Sequence, residues 1–233
     1  MQSRKSSGIM FSELPKDTKS SIVSVNLSYS FVNEEWKRVM IDKFSKHSSV
    51  QDVLITDGSL CEGFSGHSHI FWEGDENDYE KWFEVLLLTV PDNFFSFMNI
   101  DIEQGDMFET SDQVIVDRRF QQNCGEEVVG KVFSMSNTPY TVKGLCETYT
   151  YSLYDSDGAG FVFVPRKEKD YIGHCYLKCT SGDAGKVRKY VDDILGKELP
   201  ATIDYRSTTL MEDIYAVQVI EYSLRKVFVF FAL

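Results

Sequence analysis

The residue types able to do chemistry are sparse and scattered. His67 and His69 stand two apart in Gly66-His67-Ser68-His69, with Cys61 and Asp75 nearby in the chain. Two imidazoles are the minimum of a metal or acid–base site. A strand puts both on one face, where solvent exposure is the simpler use. His174, Cys175 and Cys179 offer a second set, but in a strand His174 and Cys175 point to opposite faces, and no Cys-x-x-Cys knuckle accompanies them. Asp155-Ser156-Asp157-Gly158 opens like a calcium loop, yet Ala159 and Arg166 fall where its fifth and twelfth positions need oxygen ligands. No metal site or cofactor is therefore expected.

Nucleophilic and phosphate-binding signatures are also missing. Gly63-Phe64-Ser65-Gly66 lacks the Gly-x-Ser-x-Gly spacing of a nucleophile elbow, and no Gly-x-x-x-x-Gly-Lys-Ser/Thr loop occurs. Carboxylates are plentiful, but none is singled out as half of an acid–base pair. No catalytic residue is nominated. Phe94, Phe95, Phe97 and Met98 could line an apolar groove, although covering adjacent strands is the commoner use of such a cluster.

The elements that would carry these residues follow from periodicity. Ile22 to Leu27 reads as a strand, Asn33 as the N-cap of a helix running to about Lys46 with Trp36, Val39, Met40 and Phe44 on one face, and Val53 to Ile55 as a second strand. The middle is strand-rich: Ile70 to Trp72, Glu84 to Val90, Val114 to Val116, Val129 to Phe133, Tyr140 to Cys146 and Phe161 to Val164, with short helices over 92–99 and 117–124. After a strand at Ile172 to Leu177, a helix over about 182–198 carries Val187, Tyr190, Val191, Ile194 and Leu195 on one side, and a strand at Ala201 to Tyr205 follows. Two β-α-β units thus flank a β-rich insertion. The expected fold class is α+β: one subdomain from 22–75 and 170–206, an inserted subdomain over 76–169, and a mobile lead-in over 1–21 with order beginning near Ile22.

A last helix is expected from about Thr208 over 207–233, with Leu210, Ile214, Val217 and Leu224 along one side. From Val227 to Leu233 it is apolar all round, and Arg225 and Lys226 stand where cationic side chains snorkel at a bilayer interface, with Phe228 just inside. This run is read as the first turns of a membrane helix, the alternative being a C-terminal core helix. Leu210 to Leu224 would then make a stalk about 21 Å long.

The 233 residues carry a formal net charge of −12, which repels phosphate backbones and argues against nucleic acid as a partner. Five scattered cysteines do not form the framework of a small secreted domain. Cys175 and Cys179 would lie about 13 Å apart along a strand, too far to bridge.

Several stretches, in order, resemble the periplasmic core domain between the first two membrane helices of MacB/FtsX-like permeases, especially Bacteroidetes forms. These are Phe94 to Ile100 followed by Gly105-Asp106-Met107-Phe108 (an aromatic helix, then "G-x-x-F"), and Gln113 to Asp117 (a strand ending "V-x-N/D" before a short helix). Gly125 to Lys131 is similar to a "P-I-G-K" turn, Tyr140 to Leu145 to "Y-x-V-x-G-V", and Arg225 to Leu233 to the entry of the second membrane helix. Cys146 and Glu147 depart from the pattern, and no first membrane helix precedes Ile22. The resemblance spans roughly Ile22 to Leu233. It implies a "porter" subdomain with an inserted "sabre" subdomain, and a non-catalytic module on the periplasmic side of the inner membrane that couples ATP-driven motion to substrate or partner handling. The implied partners are a separate or fused ATPase, a second permease copy and a periplasmic adaptor or lipoprotein. A stand-alone binding module, or a hydrolase using the His67/His69 region, are the alternatives.

Overall fold

The computed structural model describes residues 10–11, 13–61, 66–72, 82–135, 137–149, 158–167 and 169–219. Two sheets share the chain. The first is four-stranded, in the order β11-β1-β10-β2, from β1 (Ile22–Asn26), β2 (Val50–Thr56), β10 (His174–Cys179) and β11 (Thr208–Thr209). Helices α2 (Glu34–Ser45) and α5 (Ala184–Glu198) connect its strands on one side. Asn33 caps α2 by accepting from the Trp36 N–H at 2.8 Å, satisfying a donor that the first helical turn cannot.

Both faces of this sheet are buried, and strand alternation decides which residue goes where. Val23, Val25, Cys175, Leu177 and Cys179 face α2 and α5, where Met40, Ile41, Phe44, Val187, Val191 and Leu195 meet them. Ile22, Leu54 and Tyr176 point the other way, into a second core. Val39 is 47% exposed and takes no part in the helix-covered core. Ile41, one position beyond Met40, occupies the stripe instead, because a 3.6-residue period turns Val39 towards solvent once Lys37, Met40 and Phe44 face inward.

The second sheet holds β3 (Gly66–Phe71), β4 (Trp82–Val90), β5 (Ile102–Gly105), β6 (Gln113–Asp117), β7 (Val132–Met135), β8 (Thr138–Cys146) and β9 (Gly160–Pro165). Pairing runs β8-β6-β9-β4-β3-β7, and β7 pairs back onto β8, so the ladder closes into a ring with β5 added beside the second half of β8. Closure removes most open edges. Alternation again splits the side chains. Val85, Val114, Val116, Val142 and Val162 fill a core with Phe120 and Phe133, while Leu86, Leu88, Ile115, Phe161 and Phe163 face outward to meet Ile22, Leu54 and Tyr176.

Several expectations need correction. Order begins before Ile22: Met10, Phe11 and Leu14 are at most 3% exposed, and Lys19 Nζ donates to the Met10 carbonyl at 2.8 Å. The polar composition of that stretch hid three apolar residues long enough to fill the space between the sheets. Residues 201–205 form no strand. The sheet edge is the two-residue β11, three positions later, because the chain turns after Pro200 and seats Ile203 and Tyr205 beside the helix-covered core. The strand placed at Val129 to Phe133 lies at Val132–Met135. β3, which falls within 22–75, pairs with β4 and β7 in the ring.

Candidate functional site

The residues nominated along the last helix converge on the joint between the two sheets. The helix begins at Leu210 and is described through 219. A capping box starts it: the Glu212 N–H donates to Thr209 Oγ1 at 3.2 Å, and the Thr209 N–H to Glu212 Oε2 at 2.7 Å. The preceding residues are tied to α5. Arg188 donates to the Ser207 carbonyl at 2.7 Å and pairs with Glu212 at 3.0 Å. Asp192 Oδ1 accepts from both the N–H and the hydroxyl of the buried Ser207.

Leu210 and Ile214 are buried, and Val217 packs beside them, in the core between the sheets rather than in the core under α2 and α5. Their neighbours include Met10, Phe11, Phe94, Phe95, Phe97, Met98 and Tyr149. The Tyr149 ring lies 6.0, 5.8, 5.3 and 5.8 Å from Phe11, Phe94, Phe161 and Phe163. The aromatic run Phe94 to Met98 is therefore core and lines no open groove. Full burial of each such side chain contributes about 1.5–3 kcal/mol. Tyr215 and Val219 lie on the exposed side of the helix. Leu224, Arg225, Lys226 and Phe228 lie outside the described residues.

The chemical candidates are dispersed. His67 Nδ1 is 2.7 Å from Glu84 Oε1, with both side chains more than half exposed. His69 is exposed on the same strand, and Cys61 is buried in the core between the sheets. Asp75, Gly63 to Ser65 and Asp155 to Asp157 lie outside the described residues. His174 stacks on Tyr176 with ring centroids 6.2 Å apart, and burial lowers its pKa to about 4, keeping the imidazole neutral. Cys175 and Cys179 face the helix-covered core, where burial pushes both thiols up, Cys179 to about 11. Among the described residues no three His, Cys, Asp or Glu side chains form a group able to hold a metal.

One titratable group escaped nomination although its strand was noticed. Asp117, at the end of β6, is fully buried. Its Oδ1 accepts from the Phe120 N–H at 3.0 Å, capping α4 (Arg118–Cys124), and from the Phe161 N–H of β9 at 2.9 Å. Its Oδ2 is buried without a hydrogen-bond partner among the described residues, and the nearby Tyr149 backbone N–H also favours the ionised form. Burial raises its pKa to about 6, against the lowering pull of those N–H groups and Arg119. A strand ending in Asp or Asn before a short helix needs such an acceptor, so the signal was legible as a cap.

The fold of this mixed α/β chain is shared with solved periplasmic and extracellular domains. The chain superposes on the periplasmic region of MacB from Actinobacillus actinomycetemcomitans with a TM-score of 0.55 at 14% identity, over 91% of this chain and 97% of that one. It superposes on a domain assigned to a permease protein of Porphyromonas gingivalis with a TM-score of 0.56 at 13% identity, over 82% and 89%. The extracellular domain of the noncanonic ABC-type transporter YknZ from Gram-positive bacteria gives 0.52 at 12% identity, over 81% and 98%. The chain thus has the fold of these MacB-like domains. No family model matches it, and no curated protein does.

Proposed function

We propose that the chain is the extracytoplasmic domain of an ABC transporter permease, acting without catalysis to couple ATP-driven motion of the membrane part to substrate or partner handling outside it. The observation that carries this is the seat of the last helix. Leu210, Ile214 and Val217 enter the core that both sheets share, so movement of the helix bears on the whole domain. The shared fold supports the reading. Leu224, Arg225, Lys226 and Phe228 continue the helix into a bilayer, where Arg225 and Lys226 meet the head groups. Among the described residues no helix is long and apolar enough to cross a membrane. Partners are an ATPase, fused or separate, a second permease copy and a periplasmic adaptor or lipoprotein.

Inserting a short Gly-Ser stretch near Tyr222 of the full-length permease tests this. The domain stays folded and the ATPase still hydrolyses ATP, but transport is lost, because a flexible linker transmits no force. Transport at the unmodified rate overturns the coupling role.

A further inference from the structure

The short helix α3 (Phe94–Met98) follows β4 of the ring but is held from both ends by the four-stranded sheet. At its start stands Asn93, a residue type that ordinarily folds back to cap its own helix. Here the side chain makes no capping bond. Instead Asn93 Nδ2 donates across the joint to Asp52 Oδ1 at 2.9 Å and to the Val53 carbonyl at 3.0 Å, both on β2. At the other end Lys178 Nζ, from β10, donates to the Phe97 carbonyl at 2.6 Å and lies 4.7 Å from the centre of the Phe97 ring. A last-turn helical carbonyl has no partner within the helix, so the lysine supplies one that also favours the helix dipole. Between these two grips Phe94, Phe95, Phe97 and Met98 are all buried in the core that the sheets share.

The grip on β2 also blocks an edge. β2 pairs with β10 on one side only, and the Asn93 amide occupies the outward carbonyl of Val53 where an added strand would bond. Apolar packing alone is non-directional and lets two faces slide. Hydrogen bonds at both ends of one helix, at Asn93 and at the Phe97 carbonyl, fix translation and rotation together.

We propose that α3 is a clasp, closed by Asp52, Asn93 and Lys178, that makes the two sheets turn as one rigid body. This deepens the coupling role, since a stalk can move the distant end of the ring only if the joint does not yield. It is a property of the domain alone, however, and stands or falls without any transport assay.

Electron–electron distance measurements test it on the full chain. Spin labels go at Lys189→Cys on α5 and Val132→Cys on β7, both exposed positions, in a Cys124→Ser background that leaves only buried cysteines. The parent gives one narrow distance distribution. Asn93→Asp keeps a good N-cap residue but sets a second carboxylate against Asp52, and it at least doubles the width. Lys178→Met, which opens the other end, does the same. The exchanged pair Asp52→Asn with Asn93→Asp restores a donor facing an acceptor and narrows the distribution again. Lys43→Met removes an exposed ion pair with Glu198 inside one lobe and leaves the width unchanged. Near-ultraviolet circular dichroism verifies native packing in each variant, and Lys178→Met serves if Asn93→Asp does not fold. A broad distribution in the parent, or folded Asn93→Asp and Lys178→Met proteins as narrow as the parent, overturns the clasp.

Discussion

Asp117 gives the domain a pH dependence whose sign runs against that of ordinary surface carboxylates. Its pKa moves from 3.8 to about 6, chiefly because burial disfavours the ionised form. The folded chain therefore holds this proton up to about pH 6, whereas the unfolded chain releases it near 3.8, and stability falls as pH rises between the two. At about 1.4 kcal/mol per tenfold change in proton affinity, the cost of ionised Asp117 above pH 6 is about 3 kcal/mol. About 2.5 kcal/mol of that accrues between pH 4 and pH 7. Asp117→Asn keeps an oxygen for the Phe120 and Phe161 N–H groups and cannot ionise. Other titrating groups cancel in the comparison, as does any fixed penalty from the new amide nitrogen beside Tyr149. Urea unfolding of both proteins at a series of pH values should show the variant gaining about 2.5 kcal/mol on the parent from pH 4 to pH 7. A gap that stays constant within about 0.5 kcal/mol over that range would refute the burial reasoning.

Gly173→Ala places a methyl group 2.0 Å from the Asp57 carbonyl oxygen, which is backbone and cannot swing aside. A loss of about 3 kcal/mol is expected from urea midpoints, and a loss under about 1 kcal/mol would show that the backbone beside β2 and β10 relaxes there. Of the five cysteines only Cys124 is not buried. An aromatic disulfide reagent should modify one thiol rapidly in the native protein, located at Cys124 by peptide mass mapping, and the other four only on unfolding.

What could be read from the sequence depended on whether the determinants were local. The Asn33 cap, the Val187, Val191 and Leu195 stripe and the apolar strand over Glu84 to Val90 are set by neighbours within a few residues, and all lie where periodicity puts them. Ring closure through β7 and β8 depends on pairing that no local pattern encodes. β11 was missed because two threonines carry almost no strand signal, their pairing with Val23 and Ser24 being fixed by the sheet already present. Met10 and Phe11 lie in a Ser- and Lys-rich stretch, and only the aromatic wall around Tyr149 explains their burial. The nominated helix residues Leu210, Ile214 and Val217 were legible as a stripe, but which of the two cores receives that stripe is a tertiary fact. Asn93, Asp52 and Lys178 carried no signal, since each looks like an ordinary surface polar residue until the sheets are brought together.

The position of β11 bears on the coupling role proposed for the last helix. Thr208 and Thr209 pair with Ser24 and Val23, and the very next residue is helical. No loop intervenes between the sheet edge and the helix, so there is no compliant segment at the base. Three independent attachments resist displacement there: the sheet pairing, the Arg188 and Asp192 bonds from α5, and the Leu210 and Ile214 side chains in the shared core. Pulling along the helix axis loads the ladder hydrogen bonds, whereas tilting it loads the core, which repacks only at the expense of cavities or clashes. Tyr215 and Val219 stand on the exposed side of the helix, away from these attachments. Under the coupling role proposed above, force on the helix in either direction would reach both sheets through this base.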